Sequence, residues 1–426
     1  MAQETASSNG ELRAAATKVL TENRRDGYTV PSIGLYPYQW CWDSGPIALG
    51  WAASGDWEQA WRELESLMSA QWPSGMVPHI VFWVPVKEYF PGPSVWRTKR
   101  DPESSGITQP PLPVSAAVRL YRQDPDRARA DSRFRALWPR LVAWLTWLAR
   151  ARRGPHGGVV AVHPWETGWD NAPTYDDPLD HVKPAPREHL HREDLKAVSA
   201  AQRPTDDEYM RYIAILHALR DAEWDTEAQI EASPFAVEDL VLTALTTRAA
   251  ADLVAVAPEL DLDAGDLEAI EKTTAAALRA AWRDDNGWFH AFDVKTERWL
   301  DTRTASGLLP LWARAATPEQ VEQLARRLDA WRGEVRFGIP TTDPQARAFD
   351  PIRYWRGPVW VIVNWMVADG LTAYGHHDRA RALRDETRQR VAKEGFREYY
   401  DPRSGDGIGG EGFSWSAALT LAWLTA

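Results

Sequence analysis

Apolar residues recur at helical spacing along most of the chain. Segment 318–331 places its apolar residues on one helical face, at Val321, Leu324, Leu328 and Trp331. This pattern is typical of a helix that packs one side against a core. Segments 359–367 and 413–424 are apolar nearly all round, so we expect them to be buried on every side. The chain therefore contains two kinds of helix, half-buried and wholly buried.

The same spacing predicts about a dozen helices. We expect them over 11–24, from about 45, from 57, and over 114–123, 134–150, 208–223, 235–255, 262–282, 302–315, 318–331, 358–374, 377–394 and 413–425. Segment 287–300 alternates like a short hairpin, and no βαβ pattern is visible. Alternating buried and half-buried helices favour an all-α toroid, with an inner ring wrapped by an outer ring. We expect a single domain over 1–426.

Two long segments interrupt the helices. Segment 85–113 contains seven prolines and two glycines without periodicity, and segment 174–207 is polar and charged. Loops of this length in a compact enzyme usually cover a binding site. We expect both to close over a ligand as lids.

The amino-acid composition excludes some classes of function. The net charge of −11 argues against nucleic acid, because proteins that bind it need a basic surface. The 24 tryptophans exceed what a core needs and indicate a cleft walled by aromatic rings. The single cysteine, Cys41, fits a reducing compartment. Residues 1–10 lack an apolar run, and the longest apolar stretch is too short to span a bilayer, so a cytoplasmic protein without membrane partners is expected.

One nine-residue segment combines carboxylates with indoles. His163 to Asn171 reads His-Pro-Trp-Glu-Thr-Gly-Trp-Asp-Asn, and a bend at Gly168 would aim Asp170 out between aromatic walls. Sugars bind on aromatic faces while carboxylates take their hydroxyls. A carboxylic acid between indoles is partly desolvated, so it can donate a proton near neutral pH. The alternative is a tryptophan-rich core turn with Asp170 as a helix cap.

A second carboxylate lies in a glycine-rich segment near the C-terminus. Gly407 to Gly412 fits G-x-G-x-x-G, but a dinucleotide site needs a βαβ unit, and only fourteen residues follow. The glycines instead place Glu411 on a loop before the last buried helix, where it could also be a first-turn helix acid. Together Asp170 and Glu411 match the pair of carboxylates that glycoside hydrolysis requires. Inversion predicts roughly 6.5–9.5 Å between them.

Three segments resemble glycoside hydrolase family 63. They are Tyr-x-Trp-x-Trp-Asp at 38–43, Trp-Glu-Thr-Gly-Trp-Asp-Asn at 165–171 and Gly-Gly-Glu-Gly-Phe-Ser-Trp at 409–415; family 37 trehalases carry similar segments. The compact length resembles the family's bacterial mannosylglycerate and glucosylglycerate hydrolases. The resemblance implies an (α/α)6 barrel and an inverting α-glycoside hydrolase that cleaves a small α-glycosylglycerate to hexose and glycerate.

The resemblance also implies roles for individual residues. Asp170 would be the general acid and Glu411 the general base. The sugar would be held by Tyr36, Trp40, Trp42, Asp43, Trp169, Tyr354, Trp355 and Trp360. The glycerate would be held by Tyr89, Gln109, Arg203 and Tyr209.

Other functions remain open at this stage. Within the same fold, a trehalase-like enzyme or an oligosaccharide α-glucosidase is the alternative. A sugar epimerase or isomerase would need paired histidines, and a carbohydrate-binding protein would leave the two carboxylates unexplained. We expect no cofactor and no metal, because the pairs His189/His191 and His376/His377 lack further ligands at metal-binding spacing. Mannose and glucose are not distinguished, and a homo-oligomer is compatible with the sequence.

Overall fold

Twelve helices in the described part of the chain alternate between two layers. The computed structural model describes residues 2–85, 89–190, 192 and 194–426. The outer layer contains α1 Ala2–Asn23, α3 Trp57–Ser69, α5 Arg133–Ala151, α7 Leu267–Ala280, α9 Pro318–Glu334 and α11 His377–Glu394. The inner layer contains α2 Cys41–Ser54, α4 Leu112–Gln123, α6 Leu240–Val256, α8 Leu309–Trp312, α10 Val361–Ala373 and α12 Ser414–Leu419.

The inner helices form a closed ring. Each packs against the next in the order α2, α4, α6, α8, α10 and α12, and α12 returns to α2. The first outer helix, α1, also packs on α12, so the two ends of the chain meet. This arrangement is an (α/α)6 barrel, which confirms the fold class predicted from the sequence.

Side-chain size explains how closely the ring can pack. A Cβ placed on Gly50 of α2 would lie 2.4 Å from the Cβ of Ala418 on α12, so only glycine allows this approach. Helix α10 is apolar all round, and residues 361–368 are all buried. Helix α9 buries only one face, through Val321, Leu324, Ala325, Leu328 and Trp331. The wholly buried kind of helix predicted from the sequence therefore corresponds to the inner layer, and the half-buried kind to the outer layer.

Several predicted boundaries are wrong in detail. The helix expected over 235–255 begins at Leu240, because Val237–Glu238 pairs as a strand and Asp239 caps the helix through the Leu242 amide at 2.8 Å. The helix expected over 302–315 is a 3-10 turn, Ala305–Leu308, followed by the four-residue α8. Apolar spacing alone cannot distinguish these short buried elements from one longer helix.

The connections at one end of the barrel carry short strands. They are β1 Gln39–Trp40, β2 Ile80–Val81, β3 Val160–Ala161, β4 Val237–Glu238, β5 Trp282–Arg283, β6 Trp288–Phe289, β7 Phe292–Asp293, β8 Arg298–Trp299, β9 Tyr399–Tyr400 and β10 Gly407–Ile408. All pairings are antiparallel: β1 with β2, β5 with β6, β9 with β10, and a sheet in the order β3-β4-β7-β8. The predicted hairpin over 287–300 is thus present as β7 and β8.

One longer helix lies outside the two rings. We name Asp206–Asp221 the loop helix; it begins with a capping box formed by Thr205 and Glu208. Shorter helices occur at Pro93–Trp96, Pro125–Asp131, Asp176–Asp180, Asp194–Ala197 and Gln229–Ala232, and α12 continues as a π-helix over Thr420–Leu424. The predicted long loops 85–113 and 174–207 therefore contain short helical turns.

Within the described residues, one helical stretch is long and apolar enough to cross a membrane. It is Leu240–Leu260, which comprises α6 and the 3-10 turn after it, and 78% of its apolar window is buried inside the fold. The packing of α6 against α4, α7 and α8 occupies this surface. The stretch is a core helix of the barrel.

A charged cluster joins three inner helices where α4, α8 and α10 end. Asp369 of α10 accepts hydrogen bonds from Arg119 of α4 and from Arg314 after α8, both at 2.8 Å. The Arg119 guanidinium lies over the rings of Trp312 and Trp365, at 4.9 and 5.2 Å. Burial alone would raise the pKa of Asp369, but the two arginines outweigh burial and lower it.

We predict that Asp369→Asn destabilises the fold at neutral pH by about 1–3 kcal/mol, the range for losing hydrogen bonds to charged groups. Because folding lowers the pKa of Asp369, its contribution is present above the ordinary value of 3.8 and is lost as pH falls through the folded value. Urea unfolding at neutral and acidic pH measures both effects. Asp378→Asn is the control, since that side chain is 100% exposed. Equal stabilities of the two variants at neutral pH would contradict this account.

Candidate active site

One large pocket lies at the N-terminal ends of the inner helices α2, α10 and α12. Its empty volume is about 1000 Å³. Trp42 and Asp43 begin α2, Trp360 precedes α10, and Phe413 precedes α12. The described lining residues include many aromatic rings, four carboxylates and one arginine. Such a pocket suits a small polar molecule with apolar faces.

The structure brings most of the predicted site residues together. Twelve of the fourteen line this pocket: Tyr36, Trp40, Trp42, Asp43, Tyr89, Gln109, Asp170, Arg203, Tyr209, Tyr354, Trp355 and Trp360. Tyr89 and Gln109 come from the predicted loop 85–113, and Arg203 comes from the predicted loop 174–207. Both loops therefore contribute to the pocket wall, and their closure over a ligand stays a prediction.

A tight turn presents Asp170 to the pocket. The 3-10 helix Pro164–Thr167 ends at Gly168, whose φ is +72°. A side chain at this position would also lie 3.0 Å from the Trp42 ring, so glycine is required on both counts. The Tyr212 hydroxyl of the loop helix donates to the Asp170 carbonyl oxygen at 2.7 Å. The backbone on either side of the carboxylic acid is thus fixed.

Glu166, the other carboxylate of this segment, has a structural position. It is wholly buried and accepts hydrogen bonds from Arg152 and from the amides of Thr108 and Val162, at 3.1, 3.2 and 2.8 Å. These bonds attach the turn to the start of α4 and to β3. Glu166 does not line the pocket.

Asp170 is only 7% exposed. Burial raises its pKa to about 7, and the negative charges of Glu398 and Glu208 add to the rise, whereas Arg203 opposes it. An aspartic acid with this pKa keeps its proton to near-neutral pH. Burial also raises the pKa of Asp43 well above its usual range. Burial therefore shifts two of the four pocket carboxyls toward their neutral forms.

Trp169 does not line the pocket, contrary to its predicted role. Its fully buried ring stacks on Trp355, with centroids 5.0 Å apart and planes 11° apart. Trp355 in turn stacks on Trp360, at 3.7 Å and 3°. Trp169 is thus the back of a three-ring stack whose other two rings form the pocket wall.

The structure places Glu411 outside the pocket. Its side chain is 77% exposed and pairs with Arg397 at 2.6 Å. Gly412, with a φ of +57°, follows it, and the segment then enters α12. Glu411 is therefore not among the residues that line the pocket, and its predicted position opposite Asp170 stays a prediction.

Glu398 is the carboxylate that the sequence analysis missed. It precedes β9, lines the pocket and is 1% exposed. Its Oε1 accepts from the Tyr36 hydroxyl at 2.8 Å and from Arg203 Nη1 at 3.3 Å. Its Oε2 accepts from Arg203 Nη2 at 2.6 Å and from the Gly410 amide at 2.9 Å. The glycine-rich segment thus binds the pocket carboxylate through its backbone.

Arg203 is the one arginine or lysine among the described residues that line the pocket. It is 2% exposed, donates to the Tyr36 hydroxyl at 2.9 Å and lies 4.7 Å from the Tyr354 ring centroid. Its buried Nε has no hydrogen-bond partner among the described residues. The guanidinium therefore does not use all of its five N–H donors there.

Other pocket residues were not predicted, among them His79, Asp194 and Trp415. Burial holds the pKa of His79 well below its usual value, and its Nδ1 lies 3.1 Å from the Ser105 hydroxyl. Asp194 pairs with Arg192 at 2.7 Å. His191 and the side chain of His189 lie outside the described residues. The described part contains no cluster of three or more metal-ligand side chains.

Comparison with known proteins shows which family the chain is similar to. Residues 36–416 match the model described as the mannosylglycerate hydrolase MGH1-like glycoside hydrolase domain. A mannosylglycerate hydrolase of Thermus thermophilus is 44% identical, over 96% of this chain and 99% of that protein. The glucosylglycerate hydrolase of Mycolicibacterium hassiacum is 34% identical, over 97% and 98%. A crystal structure of a family 63 mannosylglycerate hydrolase from Thermus thermophilus, with Tris and D-glycerate, is 45% identical with a TM-score of 0.92, over 97% of this chain and 99% of that chain.

We predict that the Asp170 carboxyl titrates near pH 7 in the folded protein. Difference infrared spectra of the wild type and Asp170→Asn should show its protonated band disappearing around that pH, because burial disfavours the charged form. The control is the same pair in concentrated urea, where the group should return to the ordinary value of 3.8. Titration near 3.8 in the folded protein as well would contradict the effect assigned to burial.

Proposed function

The chain belongs to the mannosylglycerate hydrolase MGH1-like glycoside hydrolases of family 63, and we propose that it hydrolyses a small α-glycosylglycerate with inversion. The proposed products are a hexose and glycerate. Relatives named for mannosylglycerate and for glucosylglycerate both align over nearly the whole chain, so the proposal covers both sugars. As a glycosidase, the chain needs one proton donor and one carboxylate at the scissile bond.

One observation supports the mechanism most strongly: two buried carboxyls in the same aromatic pocket have opposite environments. Burial raises the pKa of Asp170 to about 7, whereas Glu398 is ion-paired with Arg203 at 2.6 Å. Pairs of carboxyls whose surroundings differ in this way commonly divide into acid and base. We assign the general acid to Asp170. The family resemblance favours Glu411 as the general base, and Glu398 is the alternative because it lines the pocket.

In this mechanism the base, Glu411 or Glu398, takes a proton from water. The water oxygen bonds to the anomeric carbon while the bond to the glycerate oxygen breaks, and Asp170 protonates that leaving oxygen. A water between base and sugar requires roughly 6.5–9.5 Å between the two carboxyls. Trp355 and Trp360 provide flat surfaces for the sugar ring, and Asp43, which burial favours in its neutral form, can hydrogen-bond a hydroxyl.

The aglycone end of the pocket is assigned by charge. A carboxylate buried in an apolar pocket needs a cation, and Arg203 is the candidate among the described lining residues. Tyr89, Gln109 and Tyr209, which line the same pocket, can hydrogen-bond the remaining oxygens of glycerate. A pocket of this kind disfavours long oligosaccharides and trehalose, which carry no carboxylate.

We propose further that the whole chain acts as one catalytic domain. Its buried hydrophobic residues form one cluster that extends from Ala16 to Leu424, and α1 and α12 join the ends. The cytoplasmic location, the absence of nucleic-acid and membrane partners and the homo-oligomer stay predictions from the sequence.

We predict that an α-linked substrate releases the β-anomer first. Inversion follows because water attacks the face opposite the leaving group. Proton NMR of mannosylglycerate or glucosylglycerate during the first minutes of hydrolysis measures the anomer before mutarotation. Early α-anomer would rule out the inverting mechanism.

A pair of glutamate variants distinguishes the two candidate bases. The substitution that removes the base, Glu411→Gln or Glu398→Gln, should lower kcat by roughly 10²–10⁴, the usual contribution of general acid–base assistance. The other substitution should leave a much larger kcat. Asp170→Ala should regain activity on a glycoside with a good leaving group, whereas the variant that lacks the base should not. Near-normal turnover of both glutamate variants would contradict the assignment of the base to either residue.

A further inference from the structure

Glu208 is a partly buried carboxylate that lies just outside the pocket. It stands in the first turn of the loop helix, its side chain is 22% exposed, and it is not among the residues that line the pocket. Its Oε2 accepts from the Thr205 amide at 2.6 Å, and its Oε1 accepts from Asn171 Nδ2 at 3.0 Å. One carboxylate thus joins the start of the loop helix to the turn that carries Asp170.

Both partners of Glu208 are close in sequence to a residue of the pocket. Asn171 directly follows Asp170, and Thr205 lies two positions after Arg203. The proposed general acid and the proposed cation for the aglycone are therefore attached to the same side chain through very short pieces of backbone. Hydrogen bonds to a charged acceptor are shorter and stronger than neutral ones, so Glu208 can fix these two segments relative to each other.

The position of Asn171 depends on Glu208. The asparagine is 2% exposed, and its buried Oδ1 has no hydrogen-bond partner among the described residues. If Glu208 were removed, Asn171 Nδ2 would lose this acceptor as well, and a buried polar group without a partner is costly. The Tyr212 hydroxyl also holds the Asp170 carbonyl, at 2.7 Å, but Tyr212 belongs to the helix whose capping box Glu208 completes.

The proposed sugar wall has a support of its own. Arg356, which follows Trp355, lies 3.8 Å from Glu208 Oε1, but it also forms two shorter hydrogen bonds with Asp176, at 2.7 and 2.6 Å. Arg356 therefore stays anchored if Glu208 is removed. The loss of Glu208 should affect the acid and the aglycone side of the pocket more than the sugar side.

We propose that Glu208 is a positioning residue that holds the general acid in place beside the aglycone. The inference rests on the proposed function, because it requires Asp170 to protonate a leaving oxygen whose carboxylate is held by Arg203. It does not depend on which glutamate is the base. Removal of Glu208 should slow a hydrolysis that needs a proton on the leaving group, and it should largely spare one that does not.

The test compares two substrates in a Glu208→Ala variant. An α-glycosylglycerate needs a proton on its leaving oxygen, whereas the α-glycosyl fluoride of the same sugar has no glycerate and a leaving group that needs no proton. The variant should lower kcat for the glycosylglycerate about 10- to 100-fold, since a small misplacement of a catalytic group can cost this much. It should lower kcat for the fluoride far less. Equal losses on both substrates would overturn the inference.

Asp207→Ala is the matched control. Asp207 lies in the same turn of the loop helix, is 51% exposed and pairs with Arg211 of that helix at 3.0 Å. Its substitution removes the same charge from the start of the helix but leaves the two hydrogen bonds of Glu208 intact. This variant should keep both kcat values near those of the wild type. A loss as selective as that of Glu208→Ala would overturn the inference.

Glu208→Gln separates the hydrogen bonds from the charge. Glutamine also suits this position of a capping box, and its amide can donate to Asn171 Oδ1 once the Asn171 amide reverses. The variant should therefore keep most of the kcat for the glycosylglycerate. A Glu208→Gln variant as slow as Glu208→Ala would overturn the inference. This comparison with the wild type also tests the inference if Glu208→Ala does not fold.

The pH profile of Glu208→Gln gives a second readout. The charged groups that act on Asp170 are Arg203, Glu398 and Glu208, and the variant removes one of the two negative charges. The pKa of Asp170 should therefore fall. The alkaline limb of kcat/KM, where the free enzyme's acid loses its proton, should move to lower pH. An unchanged limb would contradict a position of Glu208 beside the acid.

The wild-type enzyme separates this inference from the proposed function. If it cleaves a glycosylglycerate but Glu208→Ala loses the same fraction of kcat on both substrates, only the inference fails. If it cleaves neither mannosylglycerate nor glucosylglycerate, the proposed function fails and the inference fails with it.

Discussion

The ion pair between Arg203 and Glu398 is the interaction on which the pocket depends. Both side chains are almost fully buried, and an unpaired charge in such surroundings costs several kcal/mol. The pair joins the segment before the loop helix to the start of β9, across the mouth of the barrel. The loop helix also supplies the Tyr212 hydroxyl that holds the Asp170 backbone. The segment from Arg203 to Tyr212 thus contacts two of the pocket carboxylic residues, the Glu398 side chain and the Asp170 backbone.

The barrel is built from regular helices, whereas much of the pocket wall is built from the irregular connections between them. At the pocket end of the barrel, three inner helices begin beside Trp42, Trp360 and Trp415. The stack of Trp169, Trp355 and Trp360 gives the proposed sugar side a flat wall. The proposed aglycone side is built from the two long connections and contains Arg203. A rigid apolar wall opposite a charged wall suits a substrate with a hexose at one end and a carboxylate at the other.

The fold was largely predictable because the hydrophobic pattern of a helix indicates the layer in which the helix lies. Segments such as 359–367, which are apolar all round, became inner helices, and one-sided segments such as 318–331 became outer helices. The short buried strand at Val237–Glu238 was not predictable, because apolar spacing does not reveal where one buried element ends and the next begins. The 24 tryptophans suggested an aromatic cleft, and six of them line it: Trp40, Trp42, Trp165, Trp355, Trp360 and Trp415. Others, such as Trp61, Trp144 and Trp312, are buried in the barrel core instead.

Asp170 was recognisable from its sequence surroundings, whereas Glu398 was not. Glu398 stands in Arg-Glu-Tyr-Tyr-Asp, without a glycine or tryptophan beside it, and the nearby glycine-rich segment directed attention to Glu411. The available signal was weak: a lone acidic residue at the start of a short aromatic strand that pairs with the glycine segment. The partnership of Arg203 with Glu398 depends on tertiary contact between residues 195 positions apart, which a single sequence does not contain.

The most direct test of this account is a crystal structure of Asp170→Asn with an α-glycosylglycerate bound. We expect the sugar against Trp355 and Trp360, the glycerate carboxylate on Arg203, and a water held by Glu411 or Glu398 on the face of the anomeric carbon opposite position 170. A complex in which the substrate carboxylate makes no contact with Arg203, or in which neither glutamate holds such a water, would contradict the central claim.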